Sequence, residues 1–539
     1  MNRQYSLKSK KNTTFTTSTE NEQKNIKMKK LLLSAIFMAF AVCMMAQSVV
    51  LCEPFSNCWL RRATIIGTPI GQDDESLYYY LSPRHSDSFK PKTWTEHVFI
   101  IDKNTMARTD IPVTTPNTHT MLDAILSENG VVALYQSFSK KGEQAIFSIA
   151  SIDKDVKQVT LDNATTVTVS INPKYWPEFK TAKSPDGKLL AVLVMVTGKD
   201  SQLESLSALV VNNQGEVVWS GPVTPEFGGK SFSLGNFMMD NNGVLYLPAY
   251  TCQMSDKVAS NVSFLMTKTT EDGTETYTEA VKFGMPQNFT AKVLKDGNIA
   301  VAGYYTESMT NTATQTSGYY FYKFDTKSEN ITDLINYPFA SDYVEKTAWA
   351  RFSSVLGNQQ YSISAGDIFE LANGSLVLCG EHRFIKEIYD GNTHSYSYQM
   401  LTKNILVSTL KPDGTSNFTM VEKQQMSSKS TFPDDDWRPV CVSYTAFAHG
   451  DDMYFLFNDD TKNIPYPGKD VVCTFAGFGI ANNWKSVMMH LTPNQELTQR
   501  VFPETKQLLR NVDFTDGDHF YASGIRGGEV YMTKYAIEE

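Results

Sequence analysis

The chain has 539 residues, of which 41% are hydrophobic and 20% charged, with a formal net charge of −9. That is an ordinary globular composition with apolar residues enough for a large core. The acidic balance, with no basic cluster beyond the N-terminus, argues against nucleic acid or an anionic membrane surface as partner.

Residues 1–27 are polar and rich in Lys, Asn and Thr. They read as a disordered or mis-annotated extension, with Met28 as the natural start. Lys27-Met28-Lys29-Lys30 then precedes an apolar run, Leu31 to Met45, that ends in Met45-Ala46-Gln47. A basic segment, a short apolar segment and a small residue at the cut make residues 28–46 a signal peptide. The run is too short for a comfortable membrane span, so no transmembrane segment is expected after cleavage. Export to the periplasm, cell surface or medium follows. Lipid anchoring through Cys43 is disfavoured, because Val42 is bulky where a small residue is needed. Cys52 and Cys58 are close enough in sequence for a local disulfide in an exported chain. Cys252, Cys379, Cys441 and Cys473 are scattered, and no Cys/His group has zinc spacing.

From residue 47 to 539 one phrase recurs. It runs Asp74 to Tyr80, Asn129-Gly130 to Leu134, Asp186-Gly187 to Val192 and Asn242-Gly243 to Leu247. It continues as Asp296-Gly297 to Gly303, Asn373-Gly374 to Gly380, Gly450-Asp451 to Leu456 and Asp516-Gly517 to Tyr521. Asp-Gly and Asn-Gly suit a two-residue hairpin turn, and the Val, Leu, Ile and Tyr behind each suit a strand. An apolar segment precedes each copy, and two more extended segments follow. Four antiparallel strands returning at roughly 55–75 residues indicate an all-β chain folded as a single β-propeller domain over 47–539. The phrase occurs eight times, so eight blades are expected, with seven as the alternative because the first copy lacks a glycine. The last copy stops after its third strand. The segment Gln47 to Cys52 would supply the missing fourth and cover the open edge.

In such a meander the first-to-second and third-to-fourth turns share one face, and here they are short. The longer connections fall on the other: Ser82 to Glu96, Val196 to Leu206, Tyr304 to Gly318, Glu381 to Lys403 and Asn458 to Trp484 between second and third strands. Thr165 to Glu178, Asn336 to Ser364 and Glu422 to Val440 lie between blades. A rigid ring with one elaborated face commonly presents a binding site there. Trp94, Trp176, Trp349, Trp437 and Trp484 fall in these connections, as do Tyr175, Tyr304, Tyr305, Tyr389, Tyr396, Tyr398 and Tyr466. Aromatic rings give large contact area at little entropic cost.

Asp434-Asp435-Asp436-Trp437-Arg438 is the richest polar stretch, and it could grip a ligand, hold calcium or work as acid and base. Consecutive Asp residues also serve as solvated turn groups. Glu381-His382-Arg383 opens another of the long within-blade connections and carries proton-transfer chemistry, against the plainer reading of charges facing water. Asn458-Asp459-Asp460 is equally ambiguous. The ligand-binding candidates are therefore Trp349, Trp437, Trp484, Asp435, Asp436, Arg438, Glu381, His382, Arg383 and Tyr466. No catalytic residue and no metal ligand set is assigned, and no cofactor beyond the calcium option. The chain holds no GxSxG elbow, HExxH helix, Walker A loop or GxGxxG after a strand.

Ser184-Pro185-Asp186-Gly187-Lys188-Leu189-Leu190-Ala191 resembles the turn–strand units of TolB-like and related bacterial β-propeller repeat families. The resemblance implies the fold and an extracytoplasmic setting, and transfers no functional residue. The preferred reading is an exported, monomeric propeller that binds a glycan, peptide or envelope protein on its aromatic face, leaning away from an enzyme. A glycoside hydrolase or lyase of the same fold, using Asp435, Asp436 and Glu381, is the first alternative. A docking subunit of an envelope complex is the second.

Overall fold

The computed structural model describes residues 50–51, 56–57, 68–81 and 93–537. Internal segments are excepted, the longest being 341–361, 428–441, 465–473 and 477–483. Among the described residues the strands form eight sheets in chain order. Their spans are Thr68–Pro116, Thr120–Ser170, Pro177–Pro222, Ser231–Ala280, Met285–Pro338, Ser362–Ser427, Tyr444–Phe502 and Leu508–Ala536. Within each sheet the four principal strands follow one another antiparallel, and we call them first to fourth; the eighth sheet contains three from its own span. The fold is a β-propeller.

The recurring phrase builds the expected two-residue hairpin in some sheets, where Ser127 pairs with Gly130, His449 with Asp452 and Asp516 with His519, and a longer turn in others. Leu294 N–H donates to Asn298 O at 2.8 Å and Gly297 N–H to Leu294 O at 3.0 Å, so three residues, not two, lie between the paired positions. Only the glycine takes a left-handed conformation, with φ of +86°. Asp296 instead turns its carboxylate onto Asn298 N–H at 2.9 Å. This is a type I turn closed by a left-handed glycine. Leu371, Gly374 and Ser375 repeat the pattern.

Alternation along the second strands explains how the sheets stack. In Leu189–Thr197, Leu190, Val192, Val194 and Val196 pack toward the second sheet. Ala191, Leu193 and Met195 face the fourth. A strand buried on both faces reads as a continuous apolar run, and each large aliphatic side chain contributes about 1.5–3 kcal/mol by burial. Similar clusters join every sheet to the next. A further one, with Leu77, Tyr79 and Phe99 against Tyr521 and Met532, joins the first sheet to the eighth. Lys103 Nζ crosses the same seam to Asp516 at 2.7 Å.

The short strand Val50–Leu51 pairs antiparallel with Lys534 and Thr533 at the edge of the eighth sheet, and Ser56–Asn57 pairs with Val530 and Glu529. Two other short strands cross between neighbours. Val159–Thr160, from the second sheet's span, runs parallel to Val113 and Thr114 of the first. Thr474–Ala476, from the seventh, runs parallel to Gln425–Ser427 of the sixth.

Several expected loops are strand. Glu381 to Lys403 is the largest case: Leu376–Asp390 and Ser395–Leu410 form one long hairpin paired out to Asp390 and Ser395. Thr165–Ser170 is the fourth strand of its sheet, and Glu422 to Ser427 belongs to a strand as well. Tyr304 and Tyr305 are fully buried core residues, not rim aromatics. Cross-strand hydrogen bonding carries each strand past the point where polar sequence suggests a loop.

Candidate functional site

The end of the ring bearing the second-to-third and inter-sheet connections carries an unusual buried polar network across the sixth, seventh and eighth sheets. At its centre Lys423, on the sixth sheet's fourth strand, has no exposed side-chain surface. Its ammonium donates to Glu381 Oε1 at 2.5 Å, Thr402 Oγ1 at 3.0 Å and Gln425 Oε1 at 2.9 Å, which uses all three protons. Glu381 Oε2 accepts from Ser443 Oγ at 2.8 Å, and Ser443 N–H donates to Gln425 Oε1 at 2.8 Å. Gln425 Nε2 continues to Asn458 O, and Asn458 Nδ2 to Leu509 O of the eighth sheet, at 2.8 and 2.7 Å. Ser486 Oγ closes the far end on Asn458 Oδ1 at 2.6 Å.

Burial drives the Lys423 ammonium down from its ordinary pKa, against the upward pull of Glu381. Its neighbour His382 is pushed down to about 3, first by burial and then by Lys403 and Lys423. It is therefore a neutral imidazole at physiological pH. Ser443 sits at φ of +94°, a conformation that costs a non-glycine residue about 1–3 kcal/mol. Its amide and hydroxyl are both committed to the network, which holds it there.

The sequence candidates divide sharply. Glu381, His382 and Arg383 are consecutive residues of a paired strand, the first two buried, and so correct the expectation of a solvated loop. Trp484 opens a strand opposite Asp460 and is only 8% exposed, so it is a packing residue and not a mouth aromatic. Asn458 and Asp459 are likewise buried at a strand end. Trp349, Asp435, Asp436, Trp437, Arg438 and Tyr466 lie outside the described residues, as does the Cys52–Cys58 pair. Sequence reasoning missed Lys423, Gln425 and Ser443. The visible signal is a strand whose inward phase reads Val421, Lys423, Gln425, Ser427, with polar residues where apolar ones belong.

A solvent-facing surface stands beside the network. Past Arg383 and Leu401 the strands Leu376–Asp390 and Ser395–Leu410 continue paired with each other as a ribbon, out to Asp390 and Ser395. Tyr389 lies across from Tyr396, and Glu387 across from Tyr398, so these four side chains share one face. Tyr389 and Tyr396 are 53% and 51% exposed, with ring centroids 5.0 Å apart. Tyr389 Oη meets His394 Nδ1 at 3.0 Å, and Tyr398 Oη donates to Glu387 Oε1 at 3.2 Å. On the same end of the ring, Trp176 is 80% exposed and stacks on Phe138 at 5.1 Å.

Among the described residues no three His, Cys, Asp or Glu side chains gather as metal ligands, and no helix is long and apolar enough to cross a membrane. No family model matches the chain, and no curated protein matches it. Solved structures of similar fold include the polysaccharide lyase Uly1, at 11% identity over 77% of this chain and 89% of that one, with a TM-score of 0.35. An ulvanlyase solved with -[GlcA(1-4)Rha3S]- bound has 10% identity over 91% and 94%, with a TM-score of 0.36. The β-propeller domain of the Trilobed protease from Pyrococcus furiosus has 12% identity over 70% and 96%, with a TM-score of 0.31.

Proposed function

We propose that this protein is an exported, monomeric propeller that binds a glycan or peptide on the face carrying its ribbon. The observation that supports this reading is the tyrosine platform of the long hairpin. The ribbon spends large aromatic rings on solvent where packing would reward them elsewhere. Exposed rings with a neighbouring carboxylate suit a sugar face or a peptide side chain. The buried Lys423–Glu381 network beneath gives the ribbon a rigid base. Glu381 and Lys423 are closed off from solvent, which leaves them poorly placed to exchange protons with a substrate.

The test is a titration of the purified protein with polysaccharides and peptides, read by intrinsic fluorescence, with samples checked overnight for chain shortening. Saturable binding is expected, and replacing Tyr389 and Tyr396 together by Ala should raise Kd about tenfold or more while leaving the unfolding midpoint unchanged. Equal affinity in the double variant would remove the ribbon as the site. Shortened ligand would replace binding with catalysis. Silence across the panel would turn the reading to a docking subunit, sought by co-purification of a fixed partner.

A further inference from the structure

The opposite end of the ring, where the tight turns lie, carries a cleft of about 450 Å³ between the sixth and seventh sheets. That volume is within the range of small-molecule sites, roughly 300–1,000 Å³. Its floor is aliphatic, with Leu371, Val377, Met453 and Leu491, and Pro412 and Pro493 stand at its sides.

The polar groups above that floor are only half used. Asp413 Oδ1 holds Thr415 through its amide and hydroxyl at 2.9 and 2.6 Å. Asp451 Oδ1 accepts from Asn373 N–H at 2.7 Å. Among the described residues the second oxygen of each carboxylate accepts no hydrogen bond. The side-chain amides of Asn417 and Asn494 make no hydrogen bond among the described residues, and both line the cleft. Lys411 lines it too, close enough to Asp413 to help hold that carboxyl below its usual range, after the Thr415 hydrogen bonds.

We infer that this cleft binds a small neutral saccharide. Uncommitted carboxylate oxygens and amides ask for a ligand whose groups both donate and accept, as sugar hydroxyls do. The aliphatic floor matches the C–H face of a pyranose ring. Lys411 and Asp413 offset one another, and Asp451 leaves the cleft with one net negative charge, which disfavours uronates and sulfated sugars. The site is independent of the ribbon, because it stands on the other end of the ring.

The experiment is saturation-transfer NMR on the full chain with methyl β-glucoside, lactose, glucuronate and glycylglycine as probes. Transfer to the neutral sugars is expected, and little to glucuronate or the dipeptide. Asn417→Ala with Asp451→Asn should weaken sugar binding about tenfold, the size expected for losing charge-assisted hydrogen bonds. Asp451→Asn retains the acceptor for Asn373, and the unfolding midpoint of the variant checks the fold. Asn494→Ala, on an exposed turn, gives a second reading that does not touch a strand. The Tyr389→Ala, Tyr396→Ala variant should bind these probes like the unaltered protein. No transfer from either neutral sugar at millimolar concentration would overturn the assignment. So would transfer that survives both cleft variants, or a preference for glucuronate or glycylglycine.

Discussion

Single residues decide whether the polar network is an asset. Lys423 is a buried cation paired directly with Glu381, with Asp459 a more distant carboxylate, so Glu381→Gln removes most of the compensation and keeps the shape. The expected loss is about 3–5 kcal/mol in urea unfolding. Replacing both partners, Lys423→Met with Glu381→Leu, should cost clearly less, because no charge is then stranded. Equal losses in the two variants would show that packing, and not charge pairing, dominates there. His382 makes a second prediction. Its unfolded pKa is the ordinary 6.5 and its folded value is about 3, so the unfolded chain binds the proton more readily between those values. Stability should therefore be full above about pH 6.5 and fall as the pH drops toward about 3, by several kcal/mol. Thermal unfolding of a His382→Gln variant should show a flatter acid limb, and an unchanged limb would exclude this imidazole as the cause. The buried role of these residues was not legible in the sequence. Glu381-His382-Arg383 follows a glycine and precedes a long polar stretch, and nothing local reports that Lys423, forty-two residues on, will meet its carboxylate.

Strands and turns were read more faithfully. The eight turn phrases fall at the turn between first and second strand in each of the eight sheets, and in all but the first a glycine, free to take a positive φ, marks the place. Where the turn is one residue longer than expected the reason is local: Asp296 satisfies Asn298 N–H with its side chain, and so the extra residue is held without a second positive φ. Strand length was misjudged for a non-local one. Residues such as Lys386, Glu387 and Asp390 look like loop, yet an antiparallel partner at Ser395–Gln399 satisfies their backbone whatever their side chains face. Polar composition marks solvent exposure, and on a paired ribbon exposure and strand coexist. The candidate tyrosines were visible as a cluster, but their pairing across the ribbon required the register.

At the scale of the whole molecule the fold was legible because repetition accumulates: each weak copy supports the others. The edge of the eighth sheet was legible for the opposite reason, as a missing strand with one spare segment to fill it. Deleting residues up to Asn57 should uncover the strand Glu529–Ala536 and leave a row of unpaired backbone groups. A lower unfolding midpoint with concentration-dependent association, seen by light scattering, is the expected outcome. A monodisperse, equally stable product would show that the edge needs no cover.

The pairing of Val50 with Lys534 also imposes an order of events. Sheets two to seven draw their principal strands from contiguous sequence and can form as soon as each is complete, with loop closures of tens of residues. The eighth cannot be finished by local search. Its last partner is the first strand of the described chain, and it must wait until nearly every other residue is present, a closure whose entropic cost grows only logarithmically with the intervening length. Until then the growing arc has two free ends, and the seam of Tyr79, Lys103 and Asp516 has only one side. The final pairing thus works as a clasp, converting an arc that could lengthen, stack or pair with another copy into a body of fixed size.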